Sequence, residues 1–407
     1  YALIKDARPR WSPAIAKSAV MTTAYQDVYK EDGTTMADPF DFGAGHVYPG
    51  GKSIKGSVLQ PGLAYDAGLF EYAAFTCGAD LGVFTPGSCV FLEGIGIPTD
   101  ASDLNVPSIG VADLAGSQTI VRTITNVSDS TERFTATVQK PKGFDVNVAP
   151  NQIRLKPGES ATVEITITNK KAPIAQWRFG SLTWTGGGYK VSSPIAVKAA
   201  LFDAPDEVLG TGDAGTASFD VSFGYTGDYS AAPHGLVADA PVTDFVGQDP
   251  DQTYPSADDA PPGVMKYDYS ISGSAFARWS LVIPGDDDID LFLEDSTGAI
   301  VAASTNGGTD ELIELVLPAD DTYTMVVHGW SIPSAPLEFT LSHWDVPLAS
   351  GGSLSVDSAP ASATLGSLGT IDVSWSGLTT GTEYLGAVSH SNADGLMGLT
   401  VVGVDAN

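Results

Sequence analysis

Short runs of alternating apolar and polar residues, each closed by a turn signal, constrain this chain more than any other feature. Thr119 to Thr125 (TIVRTIT), Phe134 to Val138 and Thr162 to Thr168 alternate with a period of two, which places one face of each run in a core. Asn126 to Ser130, Pro141 to Gly143 and Pro157-Gly158 separate them as turns. Such spacing over about a hundred residues predicts an antiparallel β-sandwich that closes near Ser193 to Val197. The 45 Gly and 26 Pro, with 17% charged residues, suit short strands and many turns and argue against coiled coil or disorder.

A second β block spans about Met265 to Val346 and includes Trp279 to Ile283, the alternating Asp288 to Glu294, Leu312 to Leu317 and Tyr323 to Val327. The Gly/Asp/Pro-rich stretch before it, extreme at Asp249 to Gly263, reads as long loop or linker. A final block carries strand patterns at Thr370 to Trp375 and Leu399 to Val404; it is small for an independent core and is expected to lean on its neighbour. The first stretch is helical. Tyr1 to Lys5 looks like the end of a helix, Ser12 can cap a second one with Pro13 in its first turn, and Ile15, Ala19 and Val20 share a face. From there to about residue 100 the pattern is loop-rich.

Acidic residues outnumber basic ones 49 to 20, a formal charge of −29. That field repels nucleic acid and anionic lipid and excludes both as partners, while most of the carboxylates read as a solvated surface. No apolar run approaches the ~20 residues that a spanning helix needs. Cys77 and Cys89 stand close together in a Gly/Pro-containing stretch. One pair closing a short loop implies a disulfide and an oxidising compartment, and two free thiols is the alternative. The chain opens without an initiator Met or a signal peptide, which implies a processed or truncated product.

At three places the residues resemble a known family. WSPAIAKSAVMTTA at 11–24 looks like the helix that follows the catalytic-serine helix of subtilisin-like serine proteases, PFDFGAGHVYP at 39–49 resembles the loop beyond it, and PGLAYD at 61–66 continues in order. DLNVPSI at 103–109, TITNV at 123–127 and FGSLTWTGGGYKVSSPIAV at 179–197 resemble the fibronectin type III-like domain of plant-type subtilases. DIDLFLEDSTGAIVAAS and TYTMVVHGW, within about 265–346, resemble the bacterial pre-peptidase C-terminal domain. The fold expected is therefore mainly β: a partial α/β subtilase remnant followed by two or three antiparallel β-sandwich domains. The resemblance implies the end of a catalytic domain over 1–100 and a fibronectin type III-like domain over 101–200. A pre-peptidase C-terminal-like sandwich with a long N-terminal loop would take 201–347, and a small immunoglobulin-like module 348–407.

In that family an Asp orients a His, the His takes the proton of a Ser nucleophile, and an Asn stabilises the oxyanion. The resemblance puts all of them upstream of Tyr1, so no catalytic residue is assigned in this chain. Gly33 to Ala37 (GTTMA) resembles the nucleophile motif GTSMA with Thr35 for Ser. Asp38-Pro39-Phe40-Asp41-Phe42-Gly43 follows it, however, which cannot propagate the helix that the motif needs. His46 is expected to be a buried, hydrogen-bonded structural residue. Asp286, Asp288 and Asp290, with Asp287, offer hard oxygen ligands for Ca²⁺; the competing reading has Asp288 and Asp290 facing water from an alternating strand. No cofactor is required, and calcium is the one candidate. Asn126-Val127-Ser128 fits a glycosylation sequon. Trp177, Trp184, Trp279, Trp330, Trp344 and Trp375 are expected in cores rather than on a binding platform.

The resemblance implies the C-terminal part of a secreted, extracellular or cell-surface serine endopeptidase. Its protein or peptide substrate would meet the absent catalytic region, and the β-domains would brace it, position substrate or assist secretion. The alternative is a non-catalytic secreted β-domain protein that acts in adhesion or self-assembly through exposed sheet edges.

Overall fold

Ser12 starts a helix as its chemistry demands: its Oγ accepts the Ile15 amide at 2.9 Å, and Pro13 fills the first turn. The computed structural model describes residues 1–79, 86–257, 259–285, 287–307, 310–333 and 335–407, with 86 and 87 through their backbone alone. Strands dominate, at 51% against 10% helix. The chain divides into two compact units, residues 1–203 (with 222–225 and 364–367) and the remainder.

Unit 1 begins with helices α1 (Ala2–Ala7) and α2 (Pro13–Thr22). Ala16 and Ala19 form the buried stripe of α2, with Ile15 and Val20 packed partly against it. The stretch expected as loop holds more: α3 (Pro39–Phe42), strand β1 (Leu63–Tyr65), α4 (Leu69–Gly78) and α5 (Pro86–Gly94). The Asp38 to Gly43 segment does form one helical turn, because the Asp38 side chain accepts from Phe40 N and Asp41 returns the bond to Asp38 N. Gly43, at φ 64, ends it there.

The sandwich of unit 1 has strands β2 (Ile109–Leu114), β3 (Ser117–Asn126), β4 (Glu132–Gln139), β5 (Phe144–Ala149), β6 (Gln152–Leu155), β7 (Ser160–Asn169), β8 (Trp177–Gly186) and β9 (Tyr189–Ala199). They form sheets β1-β3-β7-β5 and β2-β9-β8-β4-β6. Alternation put Ile120, Ile124, Val163, Ile165 and Ile167 inside, against Phe134, Leu182 and Trp184. Each such side chain contributes about 1.5–3 kcal/mol by leaving water. A two-residue strand β10 (Phe202–Asp203) follows.

Unit 2 corrects the expected boundaries at 201–347 and 348–407. Residues 204–238 are not the loop of the following sandwich. They carry β11 (Glu207–Thr211), β12 (Gly215–Phe223), β13 (Gly227–Asp228) and β14 (Ser230–Ala238). Near the end of the chain lie β23 (Leu354–Ser358), β24 (Ser362–Ala363), β25 (Leu368–Trp375), β26 (Glu383–Asn392) and β27 (Gly395–Asp405). The two sets share sheets: β11-β27-β26-β14, β12-β25-β23 and the short β13-β24 pair. The physical reason is that the last sixty residues hold too little apolar area to close a core alone. Phe219 and Val221 from the early set complete it, with Ile371, Val373 and Trp375 from the late one.

Between these halves sits a second sandwich: β15 (Val242–Val246), β16 (Val264–Ile271), β17 (Ser274–Val282), β18 (Asp288–Glu294), β19 (Ile300–Ser304), β20 (Asp310–Val316), β21 (Asp321–Ser331) and β22 (Leu337–Pro347). Its sheets are β15-β22-β17-β20 and β16-β21-β18-β19. Trp279, Leu281, Ile289, Leu291, Met325 and Leu341 fill the space between them. Phe276 and Trp344 carry the packing on to Leu385 and Val401 of the flanking sandwich.

Candidate functional site

The helical segment of unit 1 is fixed to the sandwich through polar bonds as well as packing. Ser18 Oγ on α2 accepts Tyr65 N at 2.9 Å, and the Tyr65 hydroxyl reaches Ser193 Oγ on β9 at 3.1 Å. Strand β1 itself pairs with β3, Ala64 opposite Thr125. Arg122, 2% exposed, donates to the carbonyls of Ser102, Val106, Ser108 and Val121, so one guanidinium holds the 102–108 segment on β3. Burial lowers its pKa, partly offset by Tyr65 and Asp103. Cys77 and Cys89 are joined in a disulfide across a Cα separation of 5.8 Å and tie α4 to α5.

A triad needs one imidazole bonded to both a hydroxyl and a carboxylate. His234 and His390 meet hydroxyls, and His328 meets carboxylates. His234 Nε2 meets Ser389 Oγ at 2.8 Å, but its Nδ1 has no hydrogen-bond partner and the residue is buried. His390 lies between the Tyr229 hydroxyl at 2.7 Å and Thr400 Oγ1 at 3.0 Å. His343 stacks on Trp279 with centroids 5.0 Å apart. Burial pushes both His343 and His390 down to about 4. His46 departs from expectation: it is exposed, stacked on Tyr25 at 4.9 Å with Nδ1 near the Val47 carbonyl, because the Gly-rich loop carrying it runs over the surface. Thr35 donates its hydroxyl to Asp32 in an exposed turn, and Asp32, bonded also by the Thr34 and Thr35 amides, falls to about 2. The tryptophans are mostly core; Trp184, Trp279, Trp344 and Trp375 are buried, whereas Trp330 is 42% exposed.

A buried group of ionisable side chains in the second sandwich of unit 2 is one that the sequence did not signal as a whole. His328, on β21 and 1% exposed, has Nδ1 3.2 Å from Asp290 Oδ2 on β18 and Nε2 3.0 Å from Asp249 Oδ2. Asp249 belongs to the stretch expected as linker, yet it is 3% exposed. It accepts from Thr253 N, and its own amide donates to Gly329 O at 2.8 Å. Tyr254 then lies over Phe292, centroids 4.9 Å apart, and its hydroxyl donates to Glu294. Lys266 packs over the Tyr254 ring at 5.3 Å and pairs with Glu294 at 3.0 Å. Nearby, Glu311 is 1% exposed and accepts from Ser304 Oγ; burial first, then the charges of Asp290 and Asp288, raise its pKa.

This arrangement corrects the reading in which Asp290 faces water. Asp290 is 8% exposed and does not face water, because residues 248–254 cover that part of the outer face of its sheet. Among the described residues no group of three or more His, Cys, Asp or Glu is placed to hold a metal, and Asp290 pairs with His328. Asp286 lies outside the described residues. A signal for the histidine existed, a lone His in the apolar run TYTMVVHGW, but its partner Asp249 stands 79 residues away. Asn126 is also not available as a sequon: it is fully buried, and its amide donates to Ser130 O and Leu155 O, both at 2.9 Å.

With that geometry in place, similarity to known proteins adds the class of protein. Residues 103–197 match the fibronectin type-III domain. The chain is 36% identical over 214 residues to a CO(2)-response secreted protease of Arabidopsis thaliana, covering 48% of this chain and 27% of the relative. It is 35% identical over 205 residues to the subtilisin-like serine-protease S of Lotus japonicus, covering 48% and 26%. Its homologues are subtilisin-like proteases. The chain spans about a quarter of the length of the curated relatives it matches. Among solved structures, the secreted serine protease VesC from Vibrio cholerae covers 58% of this chain and 48% of its own at 13% identity and TM-score 0.20. That likeness carries no argument. No helix among the described residues is long and apolar enough to cross a membrane.

Proposed function

We propose that this chain is the C-terminal portion of a secreted bacterial subtilisin-like serine endopeptidase, whose Asp/His/Ser triad is supplied by polypeptide outside it. The observation that carries the reading is identity of about 35% to subtilisin-like proteases over half the chain. The bonded junction of residues 1–100 with the sandwich suits a bracing role, in which the fibronectin type-III domain grips the end of a protease domain. Leu3, Leu69, Phe70, Val90 and Phe91 are exposed in that first segment, a surface that a further layer of an α/β domain would cover. The 242–347 sandwich is a pre-peptidase C-terminal-like domain, and the substrate is protein or peptide bound elsewhere.

The purified chain is expected to cleave no casein or peptide substrate, whereas a longer polypeptide that carries the upstream triad does. Hydrolysis by the chain alone, abolished by a serine-directed inhibitor, overturns the reading.

A further inference from the structure

The outer face of the β16-β21-β18-β19 sheet presents three side-chain rows: Val264–His328–Asp290, Lys266–Val326–Phe292 and Asp268–Thr324–Glu294. Residues 248–254 run over the first two rows as a strap. Gln248, Gln252 and the Asp249 amide bond the Gly329 and Trp330 carbonyls at its start, and two side-chain anchors hold it over the rows. Asp249 sits on His328 and the Tyr254 hydroxyl sits on Glu294, while the Tyr254 ring covers Phe292. Val326 beneath is fully buried.

Each ring nitrogen of His328 faces a carboxylate oxygen, and carboxylates only accept. A neutral imidazole carries one N–H and can satisfy one of the two. The geometry is complete only when both nitrogens are protonated, so the buried cation at this site is the imidazolium. Every charge facing it is negative: Asp290 from β18 and Asp249 from the strap. Asp251 adds to Asp249 on the strap side, and Asp288 and Glu311 lie close enough to act on the Asp290 side. The β16 neighbour is the uncharged Val264, and the nearby Lys266 is engaged by Glu294.

We propose that His328 is a proton-operated latch. Charged, it holds the 248–254 strap on the sheet; on losing its proton it leaves Asp249 and Asp290 facing one another across a neutral ring, and the strap lifts from Val326 and Phe292. Burial alone would lower the histidine's pKa, but the bonds and charges of Asp290 and then Asp249 outweigh it and raise the pKa above 6.5. The sign follows from that direction. The unfolded or lifted state holds its proton less tightly, so the latch acts fully below the ordinary histidine range and is lost as pH rises through the raised value.

The test is amide hydrogen exchange of the full chain, corrected for intrinsic rates, read on peptides within 248–257 from about pH 5 to about pH 9. Opening of the strap is expected to rise as pH climbs through the raised histidine pKa, by a factor of ten for each unit by which the closed strap elevates it. His328→Gln should abolish that pH dependence. Asp249→Asn, which keeps the His328–Asp290 pair and the sheet, should free the strap at every pH while β21 stays protected. A pH-independent strap in the wild type overturns the proposal. So does a wild-type profile retained by His328→Gln, or opening that follows addition of EDTA rather than pH.

Discussion

Asn126 should be among the least replaceable residues of unit 1, and replacing it tests whether polar burial at the β3 end is understood. Its Nδ2 donates to Ser130 O and Leu155 O at 2.9 Å each, and its Oδ1 accepts from Ser128 N at 2.9 Å and Ser128 Oγ at 2.7 Å. All four bonds lie at a fully buried side chain. Asn126→Ala removes them and leaves the Ser128 amide and the Leu155 carbonyl without that partner. At about 1 kcal/mol net per bond, and with neighbouring bonds less than additive, the loss is about 2–4 kcal/mol. With an m-value of about 2 kcal/mol/M, a loss of ~3 kcal/mol moves the urea midpoint down by ~1.5 M. The assay is urea-dependent hydrogen exchange on β3 and β7 peptides, which reports unit 1 separately. Asn126→Asp serves as a second arm: it keeps both acceptor contacts but turns a carboxylate oxygen toward two carbonyls, so it should do at least as badly at neutral pH. A shift of less than ~0.5 kcal/mol for Asn126→Ala would refute the reasoning.

Gly210→Ala probes the discontinuous sandwich of unit 2, because a Cβ there would stand 2.3 Å from Cη2 of Trp375. It should lower stability by about 1–3 kcal/mol in thermal unfolding, and an unchanged transition would contradict the packing of 207–211 against the late strands. Replacing Cys77 and Cys89 by Ser removes a link of sequence separation 12, worth about 3 kcal/mol in chain entropy; faster proteolysis at the α4–α5 hairpin is the readout, and equal resistance counts against it. His343 and His390, both held to about 4 by burial, act opposite to His328: below about pH 6.5 the unfolded chain takes up protons that the fold refuses, so stability falls as pH drops towards 4. His390→Gln should flatten that acid slope in urea titrations, and an unaltered slope would refute the assignment.

The strands of unit 1 were legible because their alternation and their turns agree: TIVRTIT lies within β3, and Pro157-Gly158 stands between β6 and β7. Strand β12 had the same alternation, with Phe219, Val221 and Phe223 inward, but its Gly- and Asp-rich surroundings read as loop. Its β25 partner stands some 150 residues away, and local composition does not encode such pairing. Helix α4 escaped notice for a different reason. Leu69, Phe70 and Tyr72 are exposed, so LFEYAAFTCG shows no single apolar face. The His328 centre is legible only in three dimensions. Asp249 looked like linker composition and Asp290 like a solvated position, and only the strap that crosses the sheet converts both into partners of one imidazole.

Labelling with a fluorophosphonate probe tests the central claim most directly, because that reagent modifies only a serine activated by a neighbouring base. The account predicts no labelled serine in the purified 407-residue chain, and labelling of one upstream serine when a subtilisin-like catalytic portion is attached. Stoichiometric labelling of any serine within the chain alone would contradict it.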